Sequence, residues 1–115
     1  AMAPENAEIV CPLTVGGHVD HRLVRAAAEK MGRRLWYYAD VPYALEDVQA
    51  IRRLIHPDWD RVPIAISAEG MDAWIEGAAA YVSQIPTFWR DNPAIRSSIV
   101  SYLERMGGLW LWKAR

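Results

Sequence analysis

Cysteine occurs once in these 115 residues, at Cys11, so no disulfide can close within the chain. Set in the apolar run Ile9-Val10-Cys11-Pro12-Leu13, the thiol reads as a small buried hydrophobe in a reducing, cytoplasmic setting. An excess of one charge is missing too. With 13 Lys and Arg against 14 Asp and Glu, the formal charge of −1 gives no electrostatic case for nucleic acid or an anionic membrane surface. No run approaches the ~18 apolar residues of a membrane span, and no signal-peptide pattern is visible. Repeats, low-complexity stretches and linkers are absent, so residues 1–115 read as one α/β domain or as a piece of one. Histidine is scarce, with three in all, which limits any metal site built from imidazoles.

Aromatics, by contrast, are plentiful. Six tryptophans and five tyrosines exceed what a small interior can hold, so some belong at an interface, as in a fragment or an oligomer. Hydrophobic periodicity alternates between the two regular types. Ala7 to Leu13 reads as a strand ended by Pro12. A helix from Val19 to Gly32 follows, with Leu23, Val24, Ala27, Ala28 and Met31 on its apolar face and Arg22, Arg25, Glu29 and Lys30 in water. Leu35 to Tyr38 reads as a strand covered on both faces, and Leu45 to Ile55 as one helix. Val62 to Ile66 is a strand whose Pro63 argues for an edge or a strand start. Ser67 caps a helix that runs to Ile85 and is stopped by Pro86. Phe88 and Trp89 are anchors in a loop, and Asn92 caps a helix with Pro93 at its first position. Gly107-Gly108 end it, and Leu109 to Trp112 is a last strand. About four strands and four helices in alternation make an α/β fold.

The stretch that carries chemistry is Gly16-Gly17-His18-Val19-Asp20-His21. It joins a strand end to a helix start through a glycine turn, where open α/β sheets place their ligand sites. His18 and His21 are three apart and address one centre from the first helical turn. The positive end of the helix disfavours imidazolium, which leaves the rings able to coordinate or share a proton. Asp20 is placed to orient a neighbouring imidazole. The same residues also admit a plainer role as a polar helix cap with an ordinary first-turn acid. Two histidines do not complete the three protein ligands of a catalytic zinc. The remaining one, His56, sits in His-Pro-Asp-Trp-Asp at the end of a helical pattern and reads as a helix-ending turn.

Gly-Gly-His-Val-Asp-His-Arg-Leu-Val-Arg-Ala-Ala at 16–27 resembles the second signature of the zinc-dependent N-deacetylase family called PIG-L or LmbE-like, a His-x-Asp-His followed by an amphipathic helix. Leu-Trp-Tyr-Tyr-Ala-Asp-Val-Pro-Tyr at 35–43 is similar to that family's aromatic strand and turn, and Ala-Tyr-Val-Ser-Gln at 80–84 to its late helix. The likeness covers most of the chain from about residue 9. It implies the second half of a Rossmann-like three-layer sandwich and removal of acetyl groups from N-acetylglucosamine-type conjugates. Carried over residue by residue, His21 is the zinc ligand, His18 stabilises the developing oxyanion, and Asp20 orients and tunes His18.

The family opens with a strand ending in Ala-His-Pro-Asp-Asp-Glu, which supplies two zinc ligands and the base. No such sequence precedes His18. The resemblance therefore implies the C-terminal part of a deacetylase, inactive and without a complete zinc site until joined by the missing N-terminal polypeptide. Two alternatives stand beside it. One is a non-catalytic, stand-alone oligomeric binding protein derived from that fold. The other is a small metal-independent binding module.

Overall fold

A computed structural model of the chain describes residues 4–80 and 91–115. The expected helix end at Val82 to Pro86, the Phe88 and Trp89 anchors and most of the late-helix resemblance lie outside the described residues. The elements are β1 (Ile9–Pro12), α1 (Val19–Glu29), β2 (Leu35–Tyr38), α2 (Tyr43–Glu46), α3 (Val48–Leu54), β3 (Asp60–Ile64), α4 (Ala68–Ala79), α5 (Asn92–Met106) and β4 (Leu109–Lys113). The four strands form one mixed sheet in the order β1-β2-β4-β3, so the fold is α/β. Two compact units divide the chain, one of residues Ala1–Pro63 with Trp110–Arg115 and one of Ile64–Leu109.

The first unit is built on a β1-α1-β2 crossover. β1 and β2 run parallel with Ile9 opposite Leu35 and Cys11 opposite Tyr37, and β2 runs antiparallel to β4 with Tyr37 opposite Trp112. Cys11, Leu13, Leu35, Tyr37 and Trp112 are buried together with Ile51. β2 departs from the doubly covered strand expected of it. Leu35 and Tyr37 point inward, whereas Tyr38 is exposed and Trp36 is half-buried beneath the ammonium of Lys113, 4.8 Å from its ring centre. Trp110 is met similarly by the Arg61 guanidinium at 3.9 Å. Cation–π contacts thus cover part of the aromatic surplus. β3 begins two residues before the strand expected at Val62, and it is the terminal strand of the sheet, as Pro63 requires.

Two helices differ from their sequence patterns. The stretch from Leu45 to Ile55 is broken at Asp47, which leaves the helical region (φ −139°, ψ 78°) and caps α3 by accepting the Ala50 N–H at 3.1 Å. A carboxylate that satisfies a free N–H of a new helix competes successfully with continuing the old one. In α1 the apolar residues expected in the core are mostly outside: Leu23 is 64% exposed, Val24 52%, and Met31 is exposed as well. Only Ala28 of that face is buried, and the half-buried residues are His21 and Arg25. The helix has turned its polar stripe inward because partners wait there. The Arg25 guanidinium donates to the Leu13 carbonyl at 2.8 Å and lies 4.9 Å over Tyr37 and 5.8 Å over Trp59, two rings stacked at 4.2 Å.

In the second unit α4 and α5 pack together, with Ile75, Ile95, Ile99 and Tyr102 buried and Arg96 donating to Asp72 at 2.6 Å. Ser67 caps α4 as expected, accepting from the Gly70 N–H at 3.0 Å. The cap of α5 is Asp91 rather than Asn92. Its backbone is extended and its carboxylate accepts the Ala94 N–H at 2.9 Å, which places Pro93 within the first turn, where no N–H is needed. Gly107, at φ 73°, ends the helix.

Burial pushes the Cys11 thiol up from 9.0 to about 11. It likewise raises the Tyr37 hydroxyl from 10.0 to about 12, reinforced by donation to Glu29 at 3.0 Å. Both groups hold their protons more tightly folded than unfolded. Their contribution is therefore complete below about pH 9 and is lost as the pH rises through 11 and then 12. The urea midpoint should fall between pH 8 and pH 10.5, and Cys11→Ala and Tyr37→Phe should each flatten that fall. An unchanged wild-type midpoint across this range would contradict the burial of both groups.

Candidate functional site

Because β1 and β2 are parallel, the loops after their carboxyl ends emerge on the same side of the sheet, and a bond from Leu13 N–H to the Tyr38 carbonyl at 2.9 Å carries the pairing one residue further. The loop after β1 turns tightly. Thr14, Gly16 and Gly17 all have positive φ, and the Gly17 N–H returns to the Thr14 carbonyl at 2.9 Å. This turn delivers His18 to the cap position of α1. The loop after β2 carries Asp40 and ends at Tyr43, the first residue of α2.

Asp40 joins the two loops. Its side chain has no solvent exposure; Oδ1 accepts the Val15 N–H at 3.0 Å, and Oδ2 lies 2.6 Å from Nδ1 of His21. Such burial of a carboxylate is sustained only by N–H donors to both oxygens. His21 is less enclosed, with 31% of its side chain exposed. The His18 and His21 rings are 5.4 Å apart, and Tyr43 stands 6.2 Å from the first and 6.1 Å from the second, edge-on to His21.

The two imidazoles are held in opposite senses. Nδ1 of His18 accepts the Asp20 backbone N–H at 3.2 Å, so the hydrogen of the neutral ring belongs on Nε2. Nδ1 of His21 faces a carboxylate oxygen, so in the neutral ring that nitrogen carries the hydrogen and Nε2 has the lone pair. One helix turn therefore offers an N–H donor and a nitrogen lone pair side by side. The Asp20 carboxylate is 77% exposed and 3.9 Å from Nδ1 of His18; the contact that engages that ring is Asp20's backbone.

Sequence reasoning brought together His18, Asp20 and His21, and all three stand at the start of α1. Asp40 enters it only within the strand-and-turn likeness at 35–43. The available signal was its position: an acid directly after a strand, parallel to the strand whose own following loop carries the histidines. His56 lies past the end of α3 in a turn closed by the Trp59 N–H on the His56 carbonyl at 3.0 Å, which is the helix-ending turn expected for it. Among the described residues, no group of three or more His, Cys, Asp or Glu is placed to hold a metal ion. No family model matches this chain, and no curated protein or solved structure matches it.

Gly16 is the tightest point of the site. At φ +86° it lies where an L side chain is strained, and a Cβ there would sit 2.6 Å from the Tyr43 ring. Gly16→Ala should cost about 1–2 kcal/mol from the backbone alone, plus whatever is lost by displacing Tyr43. Removing the ring as well should recover part of the second contribution, because the Tyr43 Cβ, 2.8 Å from the added Cβ, stays in place. In thermal unfolding the Gly16→Ala change should therefore be smaller in a Tyr43→Ala background than in the wild type. Equal effects in both backgrounds would show that the Tyr43 ring does not abut Gly16.

Proposed function

We propose that this chain is the C-terminal part of a zinc-dependent amide hydrolase that removes acetyl groups from N-acetylglucosamine-type conjugates, and that it is silent until a further polypeptide completes its site. The likeness at 16–27 and 35–43 motivates the reading, and one observation carries it: a buried carboxylate on Nδ1 of His21 with Nε2 left over. That is how carboxylates hold the imidazoles that bind metals. The donor set fits one position of a zinc site, and His21 would fill it. Bound zinc supplies an acidified water and a polarised amide carbonyl. His18 donates Nε2–H to the carbonyl oxygen as it gains charge, and Asp20 holds the His18 ring by its backbone N–H. The other ligands and the general base belong to the partner, and the reduced Cys11 fits a cytoplasmic home.

The partner reading has support of its own. Leu23 and Val24 expose a face of α1, Met31 just beyond its end is exposed too, and β1, with the exposed Val10, is a terminal strand of the sheet. Full burial of each such side chain is worth about 1.5–3 kcal/mol, and an open strand edge recruits another strand. An N-terminal segment of the same fold would cover both. The exposed face also favours a second reading, a non-catalytic oligomeric binding protein on the same fold, in which a second copy does the covering.

Alone, the chain should bind zinc weakly and show no deacetylation of N-acetylglucosamine conjugates above background. Mixed with or fused to a family N-terminal segment bearing Ala-His-Pro-Asp-Asp-Glu, it should gain zinc-dependent activity. There His21→Ala should lose the metal, while His18→Ala should keep it and lose about 10²–10³ in rate. Metal retained without His21 would break the assignment.

Association is tested separately. Leu23→Lys with Val24→Lys should abolish complex formation in light scattering and leave the melting midpoint of the chain within about 1 °C, since both side chains already face water. A wild-type chain that stays monomeric, alone and with the N-terminal segment, would refute the partner reading.

A further inference from the structure

Asp40 is the buried carboxylate that meets Nδ1 of His21 in the reading above. Asp40 sits outside the His-x-Asp-His stretch, comes from the loop after the neighbouring strand, and has no exposed surface. Its two oxygens are divided between the Val15 amide at 3.0 Å and Nδ1 of His21 at 2.6 Å. Val15 lies in the glycine turn that leads to His18, so one carboxylate spans the turn and the helix it feeds.

We infer that Asp40 is the positioning residue of the site: it fixes His21 as the Nδ1–H tautomer and thereby keeps the Nε2 lone pair available as the donor atom. This rests on the reading of His21 as a metal donor, although the tautomer itself does not. Asp20 cannot do this work, because its carboxylate is exposed and its contact is with the other histidine. An ionised carboxylate has no hydrogen to give, so Nδ1 must supply it. The Val15 N–H on the second oxygen holds the carboxyl group so that it cannot turn away from the ring.

Asp40→Asn makes a sharp test because the amide is the same size with its polarity divided. With its oxygen on the Val15 N–H, the new NH₂ group faces Nδ1 and turns that nitrogen into an acceptor. The hydrogen of His21 then moves to Nε2, and the donor lone pair is gone. Long-range ¹H–¹⁵N spectra of the imidazole rings distinguish the two tautomers directly. The wild type should show His21 with hydrogen on Nδ1, and Asp40→Asn should show it on Nε2, with the Val15 amide still protected from exchange. Zinc titrated into each protein in complex with the N-terminal segment should bind Asp40→Asn about 10–100-fold more weakly.

A wild-type His21 with its hydrogen on Nε2 overturns the inference, as does a folded Asp40→Asn with unchanged tautomer and unchanged zinc affinity. If Asp40→Asn does not fold, the wild-type tautomer decides alone. If the tautomer inverts as stated while neither protein binds zinc, Asp40 positions His21 and the metal reading is what fails.

Discussion

A carboxylate buried without exposure constrains everything around it. Asp40 is tolerable only while N–H groups reach both of its oxygens, and removing one donor would leave a charge in an apolar setting at a cost of several kcal/mol. Those donors come from two places, the Val15 backbone and the His21 ring. The glycine turn and the first turn of α1 are therefore fixed relative to the end of β2. The positive φ values at Thr14, Gly16 and Gly17 follow from that requirement, since the chain must reverse within four residues of β1 and still present Val15 N–H inward.

The same constraint sets the roll of α1. His21, Arg25 and Ala28 recur at spacings of four and three, so bringing His21 to Asp40 also brings Arg25 to the Leu13 carbonyl and to the Tyr37–Trp59 stack. Leu23 and Val24 are then carried to the outside. Burying two such side chains and making two charge-assisted hydrogen bonds are contributions of similar size, about 1.5–3 kcal/mol each. The balance is tipped by Asp40, because the alternative roll would strip it of His21. Site geometry and exposed apolar face are two consequences of one buried group. A covering partner would let both contributions be realised together.

This explains which parts of the structure were legible in the sequence. Alternating periodicity identified the α/β class, and caps with a local mechanism, such as Ser67 before α4 and Gly107 after α5, were placed correctly. The His18–His21 cluster was legible because three-residue spacing at a helix start is itself a local fact. The face of α1 was not. A helical stripe of Leu23, Val24 and Met31 points to a buried face only when apolar burial is the largest available gain, and here long-range acceptors for His21 and Arg25 outweighed it. The break at Asp47 and the cap at Asp91 turned on a choice between adjacent polar residues that hydropathy does not register. Asp40 was hidden for a simpler reason: its partner is 19 residues away, and only the pairing of β1 with β2 makes them neighbours.

His56 supplies an internal control for what the motif means. In His56-Pro57-Asp58, Nδ1 of the histidine accepts the aspartate backbone N–H at 3.1 Å with the carboxylate 3.6 Å away; in His18-Val19-Asp20 the corresponding distances are 3.2 and 3.9 Å. Two His-x-Asp segments, one ending a helix and one starting another, thus fold into the same local hydrogen bond. The local pattern therefore says nothing of function by itself; it is what an exposed histidine two residues before an aspartate can do anywhere. What separates His18 is its surroundings. It has a second imidazole at 5.4 Å and the Tyr43 ring at 6.2 Å, whereas among the described residues the ring beside His56 is that of Trp59, at 6.4 Å. The second imidazole is in turn distinct because a buried carboxylate reverses its hydrogen-bond polarity. What distinguishes this cluster is the contact from Asp40, in the loop after β2, to His21 in α1, and the glycine turn and helix start contribute the position from which that contact can be made.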